Sequence, residues 1–138
     1  MALILDTGPL LAALDAADPD HERCAALLTE ADEDLVVPAL VMAELDYWCH
    51  ERLGTDAWLV FLDDVVRGAY RVEHPVLSDL ERCAGLQRQY ADLALGIVDA
   101  SIVALAERLA ERRLGTLDHR HFAVVRPAHT EAFELLPA

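Results

Sequence analysis

Four carboxylates, Asp6, Glu44, Asp99 and Asp118, stand where their type and local spacing could hold a divalent cation. Asp6 follows the apolar run Ala2 to Leu5 and Asp118 follows Leu114 to Leu117, so each falls at the carboxyl end of an expected strand. In open parallel sheets, ligands bind beyond those ends. An acid after a strand is also an ordinary turn or cap residue, so neither position is decisive alone. Glu44 lies within the helical apolar stripe of Leu40, Val41, Leu45 and Trp48 and faces inward, whereas Asp46 falls on the solvated side. Asp99 heads the apolar face of Ile102, Val103, Ala106, Leu109 and Ala110, where it reads either as a site acid or as a helix N-cap. Two carboxylates ~4 Å apart repel by about 4 kcal/mol at an effective dielectric near 20. Four around one crevice therefore call for a cation. An oxygen-seeking ion such as Mg2+ or Mn2+ suits such a donor set. It would polarise a phosphate and acidify a bound water, which is the chemistry of phosphodiester hydrolysis.

The elements that must position these acids alternate along the chain. Short strands are expected at Ala2 to Leu5, Leu35 to Val37, Tyr70 to Glu73 and Leu114 to Leu117, with a weaker one at Val124 to Arg126 and an edge strand in the last residues. Helices are expected from Pro9 to Ala16, Asp20 to Ala31, Leu40 to Leu53, Thr55 to Arg67, Ser78 to Tyr90 and Val98 to Arg113. Such alternation argues for an α/β fold with a central parallel sheet covered on both faces. The 138 residues fit one domain spanning 1–138, and no repeat or low-complexity linker divides them.

Composition narrows the chemistry. With 54% hydrophobic residues the chain folds rather than remaining disordered. Its longest apolar runs, Leu35 to Ala43 and Leu93 to Val98, are far shorter than the ~20 residues of a membrane span. The opening residues lack the basic n-region of a secretory signal, so a cytoplasmic location is expected. The net charge of −14 excludes the usual basic nucleic-acid interface, leaving local or metal-mediated contact with phosphate. All 11 basic residues are arginines, and the absence of lysine excludes Walker-type phosphate loops, Schiff-base enzymes and the usual phospho-receiver site. Cys24, Cys49 and Cys83 are odd in number and widely spaced, which suggests core thiols rather than a disulfide framework.

Four segments taken in order carry a resemblance: Leu3-Ile4-Leu5-Asp6-Thr7, Val41-Met42-Ala43-Glu44-Leu45, Val98-Asp99-Ala100-Ser101 and Thr116-Leu117-Asp118-His119-Arg120-His121-Phe122. Over nearly its whole length the sequence resembles the PIN-domain ribonucleases of the VapC toxin type. The resemblance implies a three-layer α/β fold, a homodimer, and Mg2+- or Mn2+-dependent endonucleolytic cleavage of RNA. It also implies a cognate antitoxin that places a basic segment in the acidic crevice. By position, Asp6, Glu44, Asp99 and Asp118 match the family's acidic quartet, which binds the ions and positions the attacking water.

Other polar residues are candidates beside that quartet. Asp92, seven residues before Asp99, is either an additional acid on the metal side or a turn residue. Thr7 and Thr116 flank the strand-end acids and are expected either to orient them through their hydroxyls or to serve as turn residues. Arg120, adjacent to Asp118, is a candidate for substrate phosphate or for pairing with that acid. His119 and His121 are expected to be structural or superficial, the alternative being contact with RNA or protonation of the leaving oxygen. Arg108, Arg112 and Arg113 read as the solvated end of a long helix, and Trp48, Trp58 and Phe61 as core or dimer contacts. The two apolar helices from Leu40 to Arg67 are candidates for the antitoxin groove or the dimer surface. Two rival functions remain at this level. One is a catalytically inactive PIN-fold module that docks RNA or protein; the other is a small phosphatase or receiver, which the missing lysine disfavours.

Overall fold

A computed structural model describes residues 1–138. Strands β1 (Ala2–Leu5), β2 (Asp34–Pro38), β3 (Arg71–Glu73), β4 (Arg113–Gly115) and β5 (Glu134–Leu136) form one sheet in the order β3-β2-β1-β4-β5. Every neighbouring pair is parallel, with Ile4 opposite Val36 on one side and Leu114 on the other. Central β1 is buried along its entire length, as a strand covered on both faces must be. The helices are α1 (Thr7–Leu14), α2 (His21–Glu30), α3 (Ala39–Arg52), α4 (Thr55–Val66), α5 (Leu77–Gln89), α6 (Ile97–Leu109) and α7 (His119–Val124). They complete a three-layer α/β arrangement in which α1 packs on α2 and α3, and α5 on α6. Twenty-five buried residues form a continuous apolar core between the layers.

The chain runs outward from β1 through β2 to β3, then returns to lay β4 on the other side of β1. That reversal creates a switch point between β1 and β4, the place where such sheets open a crevice at their carboxyl ends. The two strands meet closely there. Asp6 N–H donates to the Gly115 carbonyl at 2.8 Å, and a Cβ on Gly115 would lie 2.6 Å from Leu5 Cδ2.

Three expectations are corrected. The helix expected to reach Arg113 stops at Leu109, because Ala110 turns into the left-handed region at φ 55° and the chain then enters β4. No strand forms at Val124 to Arg126: Val124 ends α7, Val125 caps it and Arg126 lies beyond, the helix being started by the Asp118 side chain accepting from His121 N–H. Its apolar residues, Phe122 and Val125, are buried without entering the sheet, whose edge is supplied by β5. Finally, α1 begins at Thr7 rather than Pro9, with Asp6 as its cap.

Candidate active site

The carboxyl ends of β1 and β4 and the first turns of α1 and α6 surround a cleft of about 550 Å3. Asp6, Glu44, Asp99 and Asp118 all line it, together with Thr7, Gly8, Leu11 and Leu117. Four chain segments separated by as many as 112 positions, from Asp6 to Asp118, thus bring their acids to one place.

Each acid is fixed by its local structure. Asp6 is 7% exposed and caps α1, its Oδ1 accepting from Thr7 N–H at 2.8 Å. Its Oδ2 accepts from the Thr116 hydroxyl at 2.9 Å, and the Thr116 oxygen in turn accepts from Asp118 N–H at 3.0 Å. One buried threonine on the β4 side therefore sets two of the acids. The Thr7 hydroxyl donates to Glu44 Oε1 at 2.6 Å, so Thr7 orients the helical acid with its side chain and the strand-end acid with its backbone. Glu44 takes its place because Val41, Leu45 and Cys49 bury one stripe of α3 and carry it to the cleft edge. Asp99 stands in the first turn of α6, and the N-cap is Gly96. The capping reading of Asp99 is therefore overturned, leaving a half-buried carboxylate at the positive end of a helix.

Electrostatics mark the cleft as short of positive charge. The Asp6 carboxyl is pushed up to about 6 by burial and by the nearby Asp99 charge, with Glu44 adding to the effect and the Thr7 and Thr116 hydrogen bonds opposing it. Asp99 is also raised, by burial first and by Asp118 and Glu44, against the stabilising hydrogen bond from His121. Crowded acids held above their ordinary range are what a bound cation would relieve. Their donors are carboxylate oxygens, the set that suits Mg2+ or Mn2+. Asp99, Asp118 and His121 bring ligand atoms within 4.8 Å of one another. The residues present thus fit a divalent ion.

His121 is the group that residue-by-residue reading placed outside the site. Its Nδ1 lies 2.9 Å from Asp99 Oδ2 and 3.3 Å from Asp118 Oδ2, joining the α6 and α7 acids. The signal was present as an i, i+3 pair with Asp118, visible once α7 is known to be helical. Arg52 and Trp48 also line the cleft, continuing the face of α3 that begins at Glu44. The other candidates lie elsewhere. Asp92 is exposed in a 3-10 turn, Ala91–Leu93, and does not line the cleft. His119 and Arg120 are exposed outside it, and Arg120 contacts His121 Nε2 at 3.4 Å rather than Asp118. Arg108 and Arg113 are not a solvated helix end: Arg108 pairs with buried Asp79 at 3.0 Å, and Arg113, now in β4, pairs with Glu33.

A parallel sheet with a carboxylate-lined crevice at its switch point defines an α/β protein built around an acidic cleft. The chain belongs to the PIN domain family, whose model matches residues 3–126. It is 38% identical over 135 residues to Ribonuclease VapC26 of Mycobacterium tuberculosis, covering 98% of this chain and all of that protein. Among solved structures it superposes with a TM-score of 0.82 on M. tuberculosis VapC20, described as a sarcin-ricin loop cleaving toxin. That likeness has 18% identity and covers 94% of this chain and 98% of the other. FitAcB of Neisseria gonorrhoeae matches with a TM-score of 0.68 and 22% identity, over 97% of each chain. VapBC2 of Rickettsia felis, bound to a DNA fragment from its promoter, matches at 0.70 and 17%, over 98% of each. At these identities the structural likenesses establish the shared fold.

Proposed function

We propose that the chain is a Mg2+- or Mn2+-dependent endoribonuclease and the toxin of a toxin–antitoxin pair. The observation that carries this reading is the convergence of Asp6, Glu44, Asp99 and Asp118 on one cleft, in a PIN domain 38% identical to a VapC ribonuclease. Those four carboxylates would hold the ion, which supplies polarisation of the scissile phosphate and acidification of the attacking water. The chain's own residues supply orientation. Thr116 fixes Asp6 and the backbone of Asp118, Thr7 fixes Glu44, and His121 steadies Asp99, so the acids are aligned before substrate arrives. The quartet as a whole would position the attacking water, and the acidic walls repel phosphate unless a cation stands between them.

Substrate RNA, a basic cognate antitoxin and a second copy of the chain are the proposed partners, in the cytoplasm. No helix is long and apolar enough to cross a membrane. The antitoxin reading is supported by the acidity of the cleft and by Tyr47, Leu59 and Val60, large apolar residues more than half exposed on α3 and α4. Purified chain incubated with total RNA should cut it in Mg2+ or Mn2+, and cutting should disappear in EDTA and in Asp6→Asn and Asp118→Asn. Cleavage persisting in both variants would overturn the assignment. A folded wild-type chain that binds RNA and the ion without cutting would instead support the inactive docking module.

A further inference from the structure

We propose that Arg52, laid over the Trp48 indole at the lip of the acidic cleft, takes a substrate phosphate next to the one being cleaved. This rests on the ribonuclease reading and deepens it. Seven of the eleven arginines hold carboxylates in ion pairs. Of the four that do not, Arg52, Arg88, Arg120 and Arg126, only Arg52 lines the cleft. In a chain of net charge −14, an unpaired guanidinium beside the reacting acids stands out against its surroundings. It is also held in place: the Arg52 Cζ sits over the Trp48 ring, 4.6 Å from its centroid, and no carboxylate occupies its N–H groups. Trp48 and Arg52 follow Glu44 at four-residue intervals along one face of α3. A rise of ~1.5 Å per residue sets the Arg52 backbone about 12 Å along the axis from Glu44, and the guanidinium reaches back over Trp48, which places it at the rim beside the acids, where a neighbouring phosphate would lie. Planar, paired donation is the geometry that phosphate accepts. The same positive charge would repel a basic inhibitor segment, which favours RNA over protein as its partner.

The test uses the full-length chain and a labelled RNA stem-loop that wild-type protein cleaves, at fixed Mn2+ and varied KCl. Arg52→Gln should raise KM roughly tenfold, the loss expected for one charge-assisted contact. It should also lower the slope of log KM against log salt by about 0.7, the value for one single-strand phosphate. Its Mn2+ affinity and melting temperature should match wild type. Arg52→Lys should restore the salt slope. Trp48→Leu should raise KM and Trp48→Phe should largely rescue it, because the ring face rather than the volume matters. Wild-type KM and salt slope in Arg52→Gln, with wild-type cleavage intact, would overturn the Arg52 assignment alone. The same would follow if that variant weakened only the capture of a protein partner. A wild-type chain that leaves all RNA uncut would overturn the ribonuclease reading and this inference with it.

Discussion

Removing the charge of Asp6 should make the metal-free protein more stable. The Asp6 carboxyl rises from 3.8 to about 6 on folding, chiefly through burial and then the Asp99 charge. At ~1.4 kcal/mol per unit, that rise amounts to about 3 kcal/mol of destabilisation at neutral pH. The sign follows from proton linkage. An acid that holds its proton more tightly in the fold opposes folding fully above its folded pKa, and the penalty fades as pH falls through 6 toward 3.8. Asp6→Asn removes that penalty and keeps an acceptor for Thr7 N–H, but leaves the Thr116 hydroxyl without its carboxylate. A lost hydrogen bond of about 1 kcal/mol leaves a net gain of ~2 kcal/mol. In a chain of this size that is a rise of roughly 6 °C in Tm at pH 7.5. Thermal melts in EDTA at pH 7.5 and pH 5 would measure it, with the advantage of Asn shrinking or reversing at the lower pH. A variant that melts below wild type at pH 7.5, or whose advantage is equal at both pH values, would refute the reasoning.

Three further outcomes follow from the same geometry. Thr116→Val, which removes the hydroxyl bridging Asp6 and Asp118, should weaken Mn2+ binding about 10- to 100-fold without unfolding the chain, as titration calorimetry would show. Asp92→Asn should leave cleavage and Mn2+ affinity at wild-type values, because its side chain lies outside the cleft; a clear loss in either would return it to the site. Asp79→Ala should reduce stability by about 2–3 kcal/mol in urea unfolding, since Asp79 is buried, accepts from Val76 N–H and pairs with Arg108.

Much of the candidate site's geometry was legible in the sequence because it depends on short-range rules. The apolar run before Asp6 and the inward face occupied by Glu44 need only the periods of strand and helix. The switch between β1 and β4 then brings together what those periods aim. His121 was not legible, because its approach to Asp99 depends on α7 being a helix, whereas the β-branched Val124 and Val125 suggested a strand. Arg108 and Arg113 were misplaced for a related reason. The left-handed turn at Ala110 carries no glycine signature, so the helix appeared longer and its arginines more solvated than they are. Thr7 was expected to orient the neighbouring acid, but tertiary packing of α1 on α3 turns its hydroxyl to Glu44. Asp92 shows the converse: proximity in sequence to Asp99 did not survive the intervening turn at Ala94.

Binding of Mn2+ to the EDTA-treated chain, followed by titration calorimetry or by the electron spin resonance of the free ion, probes the acidic cleft most directly. Saturable uptake should occur in wild type, fall at least tenfold in Asp6→Asn and in Asp99→Asn, and remain intact in Asp46→Asn, whose side chain lies outside the cleft. Absence of uptake by wild type, or equal uptake by all three variants, would contradict the account.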